Sequence, residues 1–399
     1  MPCRIALVPV ITLATLASVP SAAMASAESR ALTREGFGRA YDLKLPESLA
    51  IFADARRADP GDPAPLRAAA AVTWMEILFG QGVATFTAFE GDASGDAVSR
   101  PAVPPQLAQR FLSLAGDAVR LAQQRAAAAP DDLDAQYQLG ASTGLLALYR
   151  GTVEGRTFAA FNEGRRAVAI MDRIRQKDPS HRESALIPGI YRYAVSTLSW
   201  PRRMFAAAAG LPGDREGGIR LLEAAAAASA DTASDASLVL MIVFNREGRH
   251  AEAAAHLQRL NAKHPANRLL RLNTAATALD ALQYADAQTI VTETLTREPQ
   301  WDRPAVPGER ALWRYIRGAA RVALGDAAAR DDLQGAVEDT PRDWVRARAH
   351  LELARLALRD GHTQRARAEL DSAEHFGRRA GDDVALRQAK RLWRDRGAA

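Results

Sequence analysis

Two histidines, His250 and His256, bracket the segment AEAAA and invite a reading as metal ligands. On a helix of 3.6 residues per turn they stand about 240° apart around the axis, so they do not converge on one ion. No His-Glu-x-x-His pair occurs. The segment DASGDAVSR at 92–100 alternates oxygen-bearing side chains but lacks the loop glycine and terminal glutamate that a calcium-binding EF-hand requires in register. A flexible turn is expected there. GDREGG at 213–218 could turn amide groups toward an anion at a helix start. It has no Lys-Ser/Thr phosphate motif, so it reads as the start of a helix with an acidic first turn. A Gly-x-Ser-x-Gly elbow is absent, and no Ser/His/Asp combination rises above background. The expectation is a non-enzymatic chain with no catalytic, cofactor-binding or metal-binding residue.

The elements that would position any site begin after the N-terminal stretch MPCRIALVPVITLATLASVPSAAMASAES. Arg4 gives a positive start, residues 5–19 are apolar, and an Ala-x-Ala-like run follows, the pattern of a secretory signal. Residues 1–25 are expected to be that signal, cleaved near 23–27. About 15 apolar residues interrupted by Pro9 fall short of the roughly 20 that span a bilayer. The only cysteine, Cys3, precedes the apolar core instead of ending it, so a lipoprotein is not expected and the mature chain is free of thiol chemistry. A periplasmic or secreted destination follows.

What remains is long enough for a large core, and too long for one compact globule to be the first expectation. With 52 Lys and Arg against 47 Asp and Glu, the net charge is +5. The two signs are interspersed, without a basic run interleaved with aromatics, so no nucleic-acid partner is expected. No later stretch has the length of a membrane span.

LRAAAAVTWMEILFG, LAQRFLSLAGDAVRLAQQRAAAA and VRARAHLELARLALRD carry apolar residues at three and four spacing among good helix formers. Alternating strand patterns are missing, which makes the fold class all-α. A small residue, an apolar residue four later and a proline eight further on recur in phase. The sets are Ser48, Phe52, Pro60; Ala118, Ala122, Pro130; Ala167, Met171, Pro179; Ala253, Leu257, Pro265; and Ala287, Val291, Pro299. The small residue permits close helix crossing, the apolar one fills the groove, and proline ends the helix.

With Ser237, Leu240, Met241, Phe244 and the turn at Gly248 ahead of Ala253, Leu257 and Pro265, this phase resembles the tetratricopeptide repeat, a 34-residue helix-turn-helix unit. Leu139-Gly140, Arg317-Gly318 and Leu353-Ala354 look like other first helices, and LGD at 324–326 and RDGH at 359–362 like their turns. The resemblance implies an α-solenoid of about eight hairpins, beginning near 29, 63, 133, 182, 234, 268, 311 and 347. Residues 29–232 form an irregular part with insertions at 80–105, 149–164 and 199–218; residues 234–380 form a more regular part. The polar segment 382–396 is expected to cap the stack.

The resemblance also implies binding of a protein or peptide in the groove lined by first helices. The residues placed there are Tyr137, Glu183, Tyr193, Asn245, Tyr315, Arg348 and Arg355. Leu238, Ile242, Leu269, Leu272 and Leu279 share that face, so its middle is either apolar or filled by another element. A second candidate is the insertion carrying Trp200, Arg202, Arg203 and Phe205, where aromatics beside arginines suit peptide or carboxylate recognition. The alternative for all three insertions is longer helices whose aromatics pack the core. The functional expectation is an exported interaction scaffold of the bacterial envelope. Its alternatives are an accessory of an envelope transport or assembly system binding a small ligand or peptide, or a helical cell-wall enzyme.

Overall fold

The computed structural model describes residues 25–85, 102–208, 210, 212–228, 231–301, 303 and 305–395. Within helices, the side chains of Thr157, Pro201, Arg202, Phe205 and Asp231 are not described. Residues 1–24 of the expected signal segment, the 92–100 turn and the Arg202 and Phe205 side chains therefore lie outside the described residues.

Every described element is helical. The first hairpins are α1 (Ala27–Tyr41) with α2 (Leu45–Ala58), α3 (Ala64–Gly80) with α4 (Pro105–Ala128), and α5 (Leu133–Thr152) with α6 (Thr157–Lys177). A 3-10 turn, Arg182–Ala185, leads into α7 (Leu186–Ser196), which pairs with α9 (Arg215–Ala226) across a short intervening α8 (Trp200–Ala208). Then come α10 (Asp231–Arg246) with α11 (His250–Lys263), α12 (Arg268–Asp280) with α13 (Tyr284–Thr296), α14 (Glu309–Leu324) with α15 (Ala329–Asp339), and α16 (Asp343–Arg359) with α17 (Thr363–Ala380). The last helix, α18 (Asp383–Asp395), buries Ala385 and Ala389 against α16 and α17 and turns charged residues outward.

The phased residues explain the stacking. Ser48, Ala118, Ala167, Ala253 and Ala287 are all fully buried, and the apolar residues four later are at most 1% exposed. Phe52 and Met171 enter sites where the partner helix is small. A Cβ on Gly36 would stand 2.4 Å from the Phe52 ring, and one on Gly140 would stand 2.9 Å from Met171 Cε. The helices α2, α4, α6 and α11 each stop two residues before their proline, as the missing N–H and the ring require.

Helix starts are capped where the chain supplies an acceptor. The carboxylate of Asp132 accepts from the N–H groups of Asp134 and Ala135, and that of Asp214 accepts from Gly217 N–H. GDREGG thus folds as a capped start with Glu216 in the first turn. The turns within hairpins place one residue in the left-handed region two positions before the second helix. Glycine fills it at Gly248 (φ 72°) and Gly361 (φ 77°), but leucine does at Leu43 (φ 65°) and Leu282 (φ 61°). A side chain in that region costs about 1 kcal/mol. At Leu43 burial in the core offsets the cost, because the side chain is only 6% exposed; Leu282 is 68% exposed.

Leu43 is buried because the array curls until its first hairpins touch its middle ones. Tyr41 stacks on His264 with centroids 4.7 Å apart and donates a hydrogen bond to Asp235. Asp42 Oδ1 lies 3.3 Å from His264 Nδ1, and Asn267 Nδ2 donates to the Tyr41 carbonyl at 2.6 Å. Beyond α3, residues 82–85 run along the inner face of α12, α14 and α16. Asn273 Nδ2 donates to the Ala84 carbonyl (3.2 Å), Ala84 joins the core cluster of Leu272 and Leu312, and Phe79 packs against that cluster. The apolar middle of the first-helix face is therefore filled by the chain itself.

The stretch 149–164 is not a loop. It extends α5 and α6 on either side of a turn at 153–156, with Tyr149 stacked on Phe111 at 3.8 Å in the core and Phe161 packed beside Met171. The stretch 199–218 holds α8 and the start of α9.

Candidate functional site

The seven groove residues fall into two neighbourhoods, Tyr137 with Glu183 and Tyr315 with Arg348 and Arg355, and two separate positions, Tyr193 and Asn245. Tyr137, on α5, lies over His181 with centroids 5.4 Å apart, and its hydroxyl is 3.5 Å from Thr232 Oγ1. Glu183, in the 3-10 turn, is 3.6 Å from His181 Nδ1. Burial raises the Tyr137 phenol pKa; Arg67 and the Thr232 contact oppose the shift, while Asp235 and Glu183 add to it. These groups gather where the first helices α3, α5 and α10 converge.

Tyr193, on α7, is buried and donates to Glu247 Oε1 (2.7 Å), whose other oxygen meets Arg215 (2.9 Å). Its phenol pKa is raised, first by burial and then by Glu247. Asn245, on α10, uses its amide on the Met241 carbonyl (3.0 Å) and on Thr277 Oγ1 of α12 (2.9 Å). Both residues join neighbouring elements of the stack.

Tyr315, Arg348 and Arg355 come together at the C-terminal end of the inner face, on α14 and α16. Burial raises the Tyr315 phenol pKa; Arg348 and Arg355 pull it down, and Glu352 and Asp280 push it up. The Arg348 guanidinium lies 5.2 Å from the Trp344 ring centroid and bonds Asp382 through Nε (2.8 Å). Arg355 pairs with Glu352 and donates to Gln388 Oε1 (3.0 Å). Burial raises the Glu352 carboxyl pKa, against the pull of Arg355. A cavity of about 20 Å³, lined by Thr85, Tyr315, Trp344 and Arg348, has room for a water-sized group.

Trp200 and Arg203 project from α8, with Trp200 67% exposed. His250 and His256 do not meet. His250 Nδ1 faces Asn245 Oδ1 at 3.2 Å, whereas His256 is buried between Phe244 and Arg259, whose guanidinium is 2.9 Å from Nδ1. Among the described residues no group of three or more His, Cys, Asp or Glu side chains is placed to hold a metal ion. Asn273 and Trp344, not singled out from sequence, belong to the inner face. Their signal was available: each sits on a first helix, close in position to the residues chosen.

No protein-family model and no curated protein matches the chain. Among solved structures, yeast Tom70 is similar at 12% identity and a TM-score of 0.38, covering 92% of this chain and 83% of that one. A monomeric IFIT1 mutant with Gppp-AAAA gives 13% identity, a TM-score of 0.34, and 87% and 67% coverage. The TPR domain of P58(IPK) gives 14% identity, a TM-score of 0.25, and 92% and 99% coverage. Nothing about partners or activity passes to this chain at such values. The hairpin stack itself makes the fold an all-α, tetratricopeptide-like solenoid.

Proposed function

We propose that the chain is an exported, non-enzymatic scaffold that binds a protein or peptide of the bacterial envelope at the C-terminal end of its inner face, around Tyr315, Arg348 and Arg355. The observation that carries this reading is the grip on residues 82–85. An asparagine amide on a first helix, Asn273, holds the carbonyl of a non-helical stretch laid across neighbouring first helices. The same face continues past that stretch into a half-buried set of two arginines and a tyrosine beside the buried Trp344, groups that desolvate well and recognise carboxylates in a peptide.

The test is differential capture from a cross-linked envelope extract, using wild type and the pair Arg348→Ala with Arg355→Ala at matched helicity. A specific protein held by wild type and reduced at least about tenfold by the pair supports the reading; equal recovery opposes it. Export is tested separately by the mass of the native chain, expected to start between residues 23 and 28. An intact Met1 opposes it.

A further inference from the structure

In each hairpin the first helix ends and the second begins on the same rim of the stack, because successive helices run antiparallel. Among the described residues, most of the large apolar side chains that stand in solvent are on this rim: Phe158 (69% exposed), Trp200 (67%), Met204 (52%), Leu282 (68%) and Leu324 (47%). Phe158 opens α6, Trp200 and Met204 ride on α8, Leu282 sits in the turn after α12, and Leu324 ends α14. A Cβ on Gly164 would fall 2.0 Å from the Tyr191 ring, which packs the middle of α7 against the first half of α6, and the antiparallel course of the two helices turns the end of α7 toward the rim where α6 begins.

Leu282 adds an independent sign. It holds a left-handed backbone (φ 61°) at a position that is glycine in three other hairpins, at Gly155, Gly248 and Gly361, and it gains no burial in return. Strain that the fold does not use is a pointer to function.

The charges around α6 and α8 are unbalanced. Arg165, Arg166 and Arg203 are exposed, with no ion-pair partner among the described residues. Arg165 is two turns from Phe158 on the same helix face, about 10 Å away. The acids of this region are already engaged: Glu163 pairs with Arg150, Glu154 with Arg156, Asp214 caps α9, and Glu216 acts on Arg249.

The geometry points to a docking rim for an anionic phospholipid bilayer: Phe158, Trp200, Met204 and Leu282 enter the headgroup boundary, and Arg165, Arg166 and Arg203 face the lipid phosphates. Single apolar side chains spread over several hairpins suit a broad surface better than the pocket a protein hot spot needs, and uncompensated arginines select negative charge. The chain lies on such a surface through its rim; no described helix is long and apolar enough to cross it.

The test uses the full chain with Cys3→Ser, so that one new cysteine carries an environment-sensitive fluorophore, at Met204→Cys on the rim or at Ala127→Cys near the far end of α4. Vesicles of phosphatidylglycerol should shift the emission at 204 to the blue and leave 127 unchanged, with phosphatidylcholine at least about tenfold weaker. Each of Arg165→Gln and Arg166→Gln should weaken binding roughly fivefold, the factor for about 1 kcal/mol per surface charge. Leu282→Gly is the decisive variant, since it should raise the thermal midpoint by relieving strain while weakening vesicle binding about tenfold. The proposal is overturned if emission at 204 does not change on phosphatidylglycerol, if 204 and 127 shift alike, or if 204 responds to envelope protein and not to lipid.

Discussion

Asn267 separates two contributions that a single alanine substitution would merge. Its Oδ1 caps α12 by accepting from Leu269 N–H (3.0 Å) and Leu270 N–H (3.2 Å), while its Nδ2 donates to the Tyr41 carbonyl (2.6 Å), closing the first hairpin onto the middle of the array. Serine is also a good N-cap but is too short to reach Tyr41. Asn267→Ser should therefore keep the cap and leave a buried carbonyl unsatisfied, at a cost of about 1–3 kcal/mol. Asn267→Ala should lose the cap as well, for about 1 kcal/mol more. Urea unfolding followed by far-UV circular dichroism measures the global cost. Hydrogen exchange at Leu43 and Lys44, whose amides bond Ala40 and Arg39 carbonyls, reports the local one. For Asn267→Ser, exchange there should quicken roughly 5- to 150-fold, the factor for about 1–3 kcal/mol. If the serine variant matches wild type in both stability and exchange, the first hairpin is not held by this contact and the closure argument fails.

The Glu309 carboxylate is fully buried and accepts from Arg268 Nε (2.6 Å), Arg268 Nη2 (3.1 Å) and Val306 N–H (2.8 Å). Glu309→Gln should cost about 3–5 kcal/mol in urea unfolding by leaving a buried guanidinium uncompensated; a loss under about 1 kcal/mol would show that the pair is not what joins α12 to α14. Burial, with help from Arg259, lowers the His256 pKa to about 4 from an ordinary 6.5. The unfolded chain then binds the extra proton first, so stability should be complete above pH 6.5 and fall by up to about 3 kcal/mol on acidification to pH 4. His256→Gln should flatten that part of the stability profile, and an unchanged slope would contradict the assignment. Gly82 has φ 76°, and a Cβ there would stand 2.1 Å from Arg342 Nη2, whereas Gly80 has open space. Gly82→Ala should lower the thermal midpoint and loosen residues 82–85 in hydrogen exchange while Gly80→Ala does neither; equal effects would mean that this segment is not seated on the inner face.

The hairpin stack was legible because its determinants are local. A small residue, a filler and a proline in one helix specify a close crossing and an end, and the buried Ala253 and Leu257 followed by the α11 stop before Pro265 show the rule at work. The all-α class followed from the same periodicity. The curl of the array was not legible, since no local pattern marks Leu43, Val83 and Ala84 as core residues and they are buried only because distant helices reach them. The same limit applies to the groove. Arg348, Tyr315 and Arg355 are brought together by the regular stacking of α14 and α16, which sequence phase anticipates. Asn245 and Tyr193 occupy comparable helix positions, but their hydrogen bonds to Thr277 and Glu247 depend on which element packs opposite them.

The proposed partner site is the inner face around Tyr315. A photo-crosslinking phenylalanine analogue at position 315, with position 127 as the outer-surface control, tests it in living cells of the source organism. A discrete crosslinked protein is expected from 315, absent from 127 and lost when Arg348→Ala and Arg355→Ala are added. A crosslink from 127 with none from 315, in a folded chain, would contradict it.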